Sequence, residues 1–197
     1  MSESAQYATM VEDAAQELAE HVALAARVEE LLPQVGEIAE RLIECYESGG
    51  RLFSFGNGGS AADAQHLAAE LVGRYRRERR PLPATALTVD PSAVTAIAND
   101  YSFDDVFARQ VEALVRRGDV VIAFTTSGRA PNVVNGLAAA RERGAATVLF
   151  TGGEGGPAGE HADHALAVPS TTTARIQEMH LLLLHLIVER IDSWAAE

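Results

Sequence analysis

After residue 50 the chain settles into a rhythm of short apolar runs separated by amphipathic stretches, and few architectures accept that rhythm. Residues 51–55, 84–87, 119–124, 146–150 and 164–168 read as strands, rich in Val, Ile, Leu, Phe and Ala. Between them 60–75, 92–98, 104–116 and 131–143 read as helices, and 174–195 as a long closing helix. Strands this apolar lack the in-out alternation of a half-exposed sheet, so both faces must be covered. Strand–helix repetition then implies an α/β fold, a parallel five-stranded sheet flanked by helices on both faces. No internal repeat, low-complexity tract or linker interrupts the pattern, so residues 1–197 read as a single domain.

Two extra N-terminal helices precede this core and occupy residues 1–49. Met10, Val11, Ala14, Leu18, Val22, Ala25 and Val28 recur at three- and four-residue steps across 4–32, and Pro33 is expected to break the helix. Val35, Ile38, Ala39, Leu42, Ile43 and Tyr46 form a second stripe, stopped by Gly49 and Gly50. Both stripes need cover, from their own domain or from a second subunit.

Charge and cysteine content narrow the setting. A net charge of −12 argues against general affinity for nucleic acid or an anionic membrane. A small anionic ligand remains open, because local donors decide its binding. The single cysteine, Cys45, excludes an intramolecular disulfide and suits a reducing compartment. The first ten residues lack the basic and apolar regions of a signal peptide. The apolar run 181–188 is interrupted by His185 and too short to span a bilayer. A cytoplasmic location is therefore expected. The basic residues Arg76, Arg77, Arg79 and Arg80 read as a solvated helix end with dipole-matching charge.

Two turns fall where open parallel sheets bind ligands, beyond the carboxyl ends of strands. Gly56, Asn57, Gly58, Gly59 and Ser60 follow the first strand, and glycines there let backbone N–H groups approach an anion at a helix start. Thr125, Thr126, Ser127 and Gly128 follow the third, with three consecutive hydroxyls as donors for phosphate oxygens. Either alone is an ordinary turn or helix cap. Two at the ends of different strands of one sheet favour a phosphate cradle. Neither is a Walker A loop or a dinucleotide fingerprint.

A second constellation spans two helices. His66 and Glu70 stand four residues apart, on one helical face and within reach of a shared ion. The closing helix is apolar on nearly every side and is expected to be buried, yet Gln177, His180 and His185 interrupt it. Gln177 and His185 lie two turns apart, on roughly one side. Each has an ordinary reading as a hydrogen-bonded core residue. Together they allow a metal site or an acid/base site.

The stretches GNGGSAADAQHLAAELVGRYR, AIAND, TTSG and ARIQEMHLLLLH, in this order, resemble the sugar isomerase (SIS) domain of phosphoheptose isomerases, over nearly the whole chain. The resemblance implies an SIS-type sheet and a homotetramer with active sites at subunit contacts. It implies conversion of sedoheptulose 7-phosphate to D-glycero-D-manno-heptose 7-phosphate, within heptose biosynthesis. Position by position, it places substrate contacts on Asn57, Gly58, Gly59, Ser60, Asn99, Asp100, Thr125, Thr126 and Ser127, with Glu70 and Gln177 reaching the sugar. It implies one zinc ion per subunit on His66, Glu70, Gln177 and His185, with Glu70 and His185 also the acid/base pair. His180 falls outside the ligand set and is left to hydrogen bonding. Arg74 matches an arginine expected to face a neighbouring site. Three positions depart from the family pattern: Thr125 replaces a serine, Ala130 a phosphate-binding serine, and Ala174 an aspartate of some members. The ARIQEMH segment also occurs in non-catalytic SIS relatives that bind the bacterial replication initiator protein. That role and a sugar-phosphate-sensing module are the alternatives.

Overall fold

The computed structural model describes residues 3–197. Two N-terminal helices, α1 (Glu3–Arg27) and α2 (Leu32–Glu47), are joined by a 3-10 turn, Val28–Leu31. The sheet strands are β1 (Leu52–Gly56), β2 (Ala84–Ala86), β3 (Val120–Phe124), β4 (Ala146–Gly152) and β5 (His164–Val168). Helices α3 (Gly59–Val72), α4 (Pro91–Asp100), α5 (Ala108–Leu114) and α6 (Pro131–Glu142) connect them, and α7 (Thr173–Ala195) closes the chain. The order is β2-β1-β3-β4-β5 with every pairing parallel. The order reverses between β1 and β3, and the crevice at such a switch point is where open α/β sheets hold ligands.

Alternation along each strand fills two separate cores. Leu52, Ile122, Phe124, Val148 and Phe150 face Ile38, Leu42, Leu67 and Leu184 of α2, α3 and α7. Phe53, Phe55, Val121, Ala123 and Leu149 face Phe107, Val111 and Leu137 on the opposite side. Successive side chains point to opposite faces, and here both faces are dry.

The structure departs from the sequence reading in four places. Pro33 does not break a helix. It sits in the first turn of α2, where its missing N–H has no intrahelical role. The expected helix over 104–116 is a 3-10 turn, Phe103–Asp105, followed by the short α5. The expected helix over 60–75 ends at Val72, and 73–83 crosses the surface irregularly. Arg79, within that segment, is the fourth departure: its side chain is fully buried against Asp192 of α7 rather than solvated.

Of the two kinds of cover open to the N-terminal stripes, the α1 stripe does not find its own in this chain. Met10, Val11, Leu18 and Val22 stand exposed, and only Val28 of that stripe is buried. The stripe of α2, by contrast, packs into its own core. Helix α7 is buried over most of its surface, but Leu182 and Leu186 are each 39% exposed. Among the described residues no helix is long and apolar enough to cross a membrane.

Candidate active site

The turn after β1 and the turn after β3 form opposite walls of one cavity of about 340 Å³, closed on a third side by Thr173 and Gln177 of α7. Asn57, Gly58, Gly59, Ser60, Thr125, Thr126 and Ser127 all line it. Thr125 Oγ1 accepts the Gly128 N–H at 3.2 Å, and Ser127 Oγ accepts the Arg129 N–H at 3.3 Å. Both hydroxyls thereby keep their hydrogens free to donate. Gly128 holds φ at +65°, and a Cβ there would meet the Gly155 carbonyl oxygen at 1.7 Å. The close approach of these two backbones thus requires glycine.

Three helices begin at this cavity. α3 starts behind Gly58, α6 behind Ala130 and α7 behind Thr172, none with a side-chain cap. α4, which starts elsewhere, is capped by Asp90, whose side chain accepts from the Ser92 and Ala93 N–H groups. Uncapped N-termini present backbone donors and the positive end of the helix dipole. Their convergence gives the cavity the donors and dipoles that suit an anion, despite the chain's negative charge. The third helix start was not foreseen from sequence, since TTTAR carries no glycine turn. Nor was Asn132, whose amide exchanges two hydrogen bonds of 2.9 Å with Asn57 and ties the two turns together.

Further along α3 and α7 lies the second constellation. His66 Nε2 is 3.1 Å from Glu70 Oε1 and 3.3 Å from His185 Nε2. One atom from each of the three residues lies within 4.8 Å of the others. With Glu70 ionised, one hydrogen on His66 Nε2 has to be shared between Glu70 Oε1 and a bare His185 Nε2, and without that hydrogen the His66 lone pair faces a carboxylate. A cation resolves the conflict, and ligand atoms around a tetrahedral ion bound at 2.0–2.1 Å are themselves about 3.3 Å apart. The three residues can therefore hold a metal ion. Burial, then the neighbouring His66 and Arg76, push the His185 pKa down, with Glu70 opposing, which favours the neutral imidazole a metal needs.

Gln177 stands two turns ahead of His185 on α7. A Cβ on Gly59 would lie 2.5 Å from its Nε2, so the pair are in close contact across the cavity. Asn99 and Asp100 are not brought to this cavity: they are exposed at the end of α4, with Asn99 Nδ2 donating to Asp100 Oδ1 at 2.8 Å. Asp63, one turn before His66, was missed. Its carboxyl is half-buried with Oδ2 unpaired, and burial raises its pKa to about 6 against the opposing pull of His66. His180 is a buried hydrogen-bonding residue, as expected, with Nε2 3.2 Å from the Thr151 carbonyl oxygen.

A parallel sheet with its ligand crevice at the β1/β3 switch point, closed by a helix that carries the second half of the site, defines the SIS-domain class, and the SIS domain profile matches residues 12–152. The chain belongs to the phosphoheptose isomerase family of that class and is an isomerase. It is 54% identical over 165 residues to a phosphoheptose isomerase of Roseiflexus sp. (strain RS-1), covering 84% of each chain. The structure of phosphoheptose isomerase from Neisseria gonorrhoeae is similar with a TM-score of 0.89 and 43% identity, covering 93% of this chain and 99% of that one. The Francisella tularensis phosphoheptose isomerase structure gives 0.90 at 32% identity, with 93% and 98% coverage.

Proposed function

We propose that the chain interconverts sedoheptulose 7-phosphate and D-glycero-D-manno-heptose 7-phosphate in the cytoplasm, through an enediol, with Glu70 and His185 carrying the protons. The observation that carries this reading is the meeting of His66, Glu70 and His185 from two helices that also wall an anion-ready cavity. Zinc, one ion per subunit on His66, Glu70, Gln177 and His185, suits this donor set and, when bound, supplies Lewis acidity at the sugar carbonyl.

The cradle acts first. Hydroxyls of Thr125, Thr126 and Ser127 and the three helix N-termini hold the phosphate, and the Asn57–Asn132 pair fixes the distance between the two turns. Holding the far end of the sugar orients its carbonyl end toward the second constellation, some 12 Å further along α7 at the usual helical rise. Isomerisation then needs one proton moved between adjacent carbons and another between their oxygens. Glu70 Oε1 is turned to His66, which leaves Oε2 for a substrate proton. His185, whose burial favours the neutral imidazole, takes the other role. Asn99 and Asp100 stand outside the cavity of their own chain, so their part in substrate binding calls for a neighbouring subunit. A homotetramer would supply one and would cover Met10, Leu18 and Val22 of α1 and Leu182 and Leu186 of α7.

The test is incubation with sedoheptulose 7-phosphate, with and without a chelator, followed by detection of the aldose product. Glu70→Gln is expected to abolish turnover while the phosphate still binds. Full activity in that variant would remove Glu70 from the mechanism, and absence of product from the metal-loaded wild type would sink the isomerase assignment.

A further inference from the structure

A metal-binding histidine ordinarily has its second ring nitrogen fixed by a carboxylate, a backbone carbonyl or water. Among the described residues no such partner meets His185 Nδ1. What meets the ring instead is another ring. Tyr75 stacks on it, with centroids 5.5 Å apart and planes inclined by 23°, while His66 approaches edge-on at 5.1 Å.

Tyr75 belongs to the irregular segment after α3, which has no ladder or helix to hold it. Glu189 pairs with Arg76 and Arg77, and one buried carboxylate gathers the backbone itself. Asp192, fully buried on α7 two turns after His185, accepts the backbone N–H groups of Tyr75 at 3.4 Å, Arg76 at 3.1 Å and Arg77 at 2.8 Å. It also accepts Arg79 Nε at 2.9 Å, and Arg79 continues to the carbonyl oxygens of Glu70 at 2.6 Å and Leu71 at 2.9 Å. The helix that carries His185 thus carries the anchor for the ring that lies on it. The same anchor reaches the end of the helix that carries Glu70.

We propose that Tyr75, held in place by Asp192 and Arg79, is a positioning residue that sets the plane of the His185 imidazole. The role rests on His185 acting in the isomerisation as described above. It needs the aromatic face of Tyr75 and not its hydroxyl, which separates it from a simple hydrogen-bonding or stability role.

Tyr75→Phe and Tyr75→Leu test this in the metal-loaded, full-length protein. The Phe variant keeps kcat near wild type. The Leu variant loses about tenfold or more in kcat, the scale expected when a reacting group is misplaced by a fraction of an ångström to one ångström. KM for the sugar phosphate stays unchanged in both, because the cradle is remote. A readout independent of turnover is the NMR shift of the His185 ring protons in chelator-treated protein. Stacking moves them upfield in wild type and Phe, and the Leu variant loses that displacement. Equal losses in Phe and Leu, a wild-type kcat in Leu, or unshifted ring protons in wild type would each overturn the proposal. Wild type that fails to turn over would overturn the isomerase reading, whereas the ring-proton comparison would still decide the stacking.

Discussion

His180 offers a direct measurement of how α7 is held. The imidazole is fully buried, edge-on to Phe150 at 5.7 Å and tilted against Phe124 at 6.1 Å. Nε2 meets the Thr151 carbonyl oxygen, so the proton sits there, and Nδ1 is left bare with no partner. Charging the ring would add an N–H at Nδ1 with nothing to receive it in an apolar surround. Burial accordingly pushes the pKa down from 6.5 to about 4, with the Thr151 contact opposing. The unfolded chain binds this proton below pH 6.5, and the folded chain does not until about pH 4. Stability from this site is therefore complete above pH 6.5 and drains away as the pH falls toward 4. At 1.36 kcal/mol per pH unit the total is about 3 kcal/mol. That is on the order of 6–12 °C in Tm for a chain of this size.

The perturbation is His180→Gln, which keeps a donor for Thr151 and removes the titration. Thermal unfolding of both proteins, at one concentration and from pH 7.5 down to 4.5, should show wild type losing about 2.5 kcal/mol more than the variant across the window, most of that total. Asp63, raised to about 6 by burial, works in the opposite direction over part of the same range. It is present in both proteins and cancels in the difference. Parallel stability curves would refute the reasoning and mean that His180 titrates normally or is solvated in the fold.

Two further outcomes follow from contacts already described. Gly59→Ala places a methyl 2.5 Å from Gln177 Nε2, the end of a flexible side chain, so Tm should hold while Gln177 is displaced and kcat/KM falls by about tenfold or more; unchanged kinetics would remove Gln177 from the site. Arg79→Met leaves Asp192 buried with its backbone partners and a long 3.5 Å contact to Arg77 Nη1, and uncovers two carbonyls of α3, which should cost about 3 kcal/mol, checked by the same thermal unfolding.

Much of the architecture was legible because burial on both faces leaves a plain mark. VVIAF can only be an inner strand, and it pairs on both sides as β3. The two turns were legible because glycines and consecutive hydroxyls have few other uses at strand ends. His66 and Glu70 were legible through helical spacing. What escaped was set by contacts between distant segments. Asn132 looks like any residue in a helix start until Asn57 is opposite it. Arg79 looks like one cation in a basic run, and nothing local separates it from Arg80, whose guanidinium lies over the Trp194 ring. The cover of the α1 stripe stayed open for a related reason: periodicity shows which face is apolar but not what covers it.

The polar residues of α7 carry a logic that composition hides. The run LLLLHLIV is nearly degenerate, so sliding the helix one turn, about 5.4 Å, would exchange one leucine for another at little hydrophobic cost. Each polar side chain forbids that slip at a different place. Gln177 meets Gly59, His180 meets β4 through the Thr151 carbonyl, His185 meets His66 on α3, and Asp192 gathers the backbone after α3. A displaced helix would bury His180 and Asp192 without partners, a cost far above what the leucines could return. The apolar residues thus make α7 a core helix, and the polar ones select the single register in which His185 arrives beside Glu70.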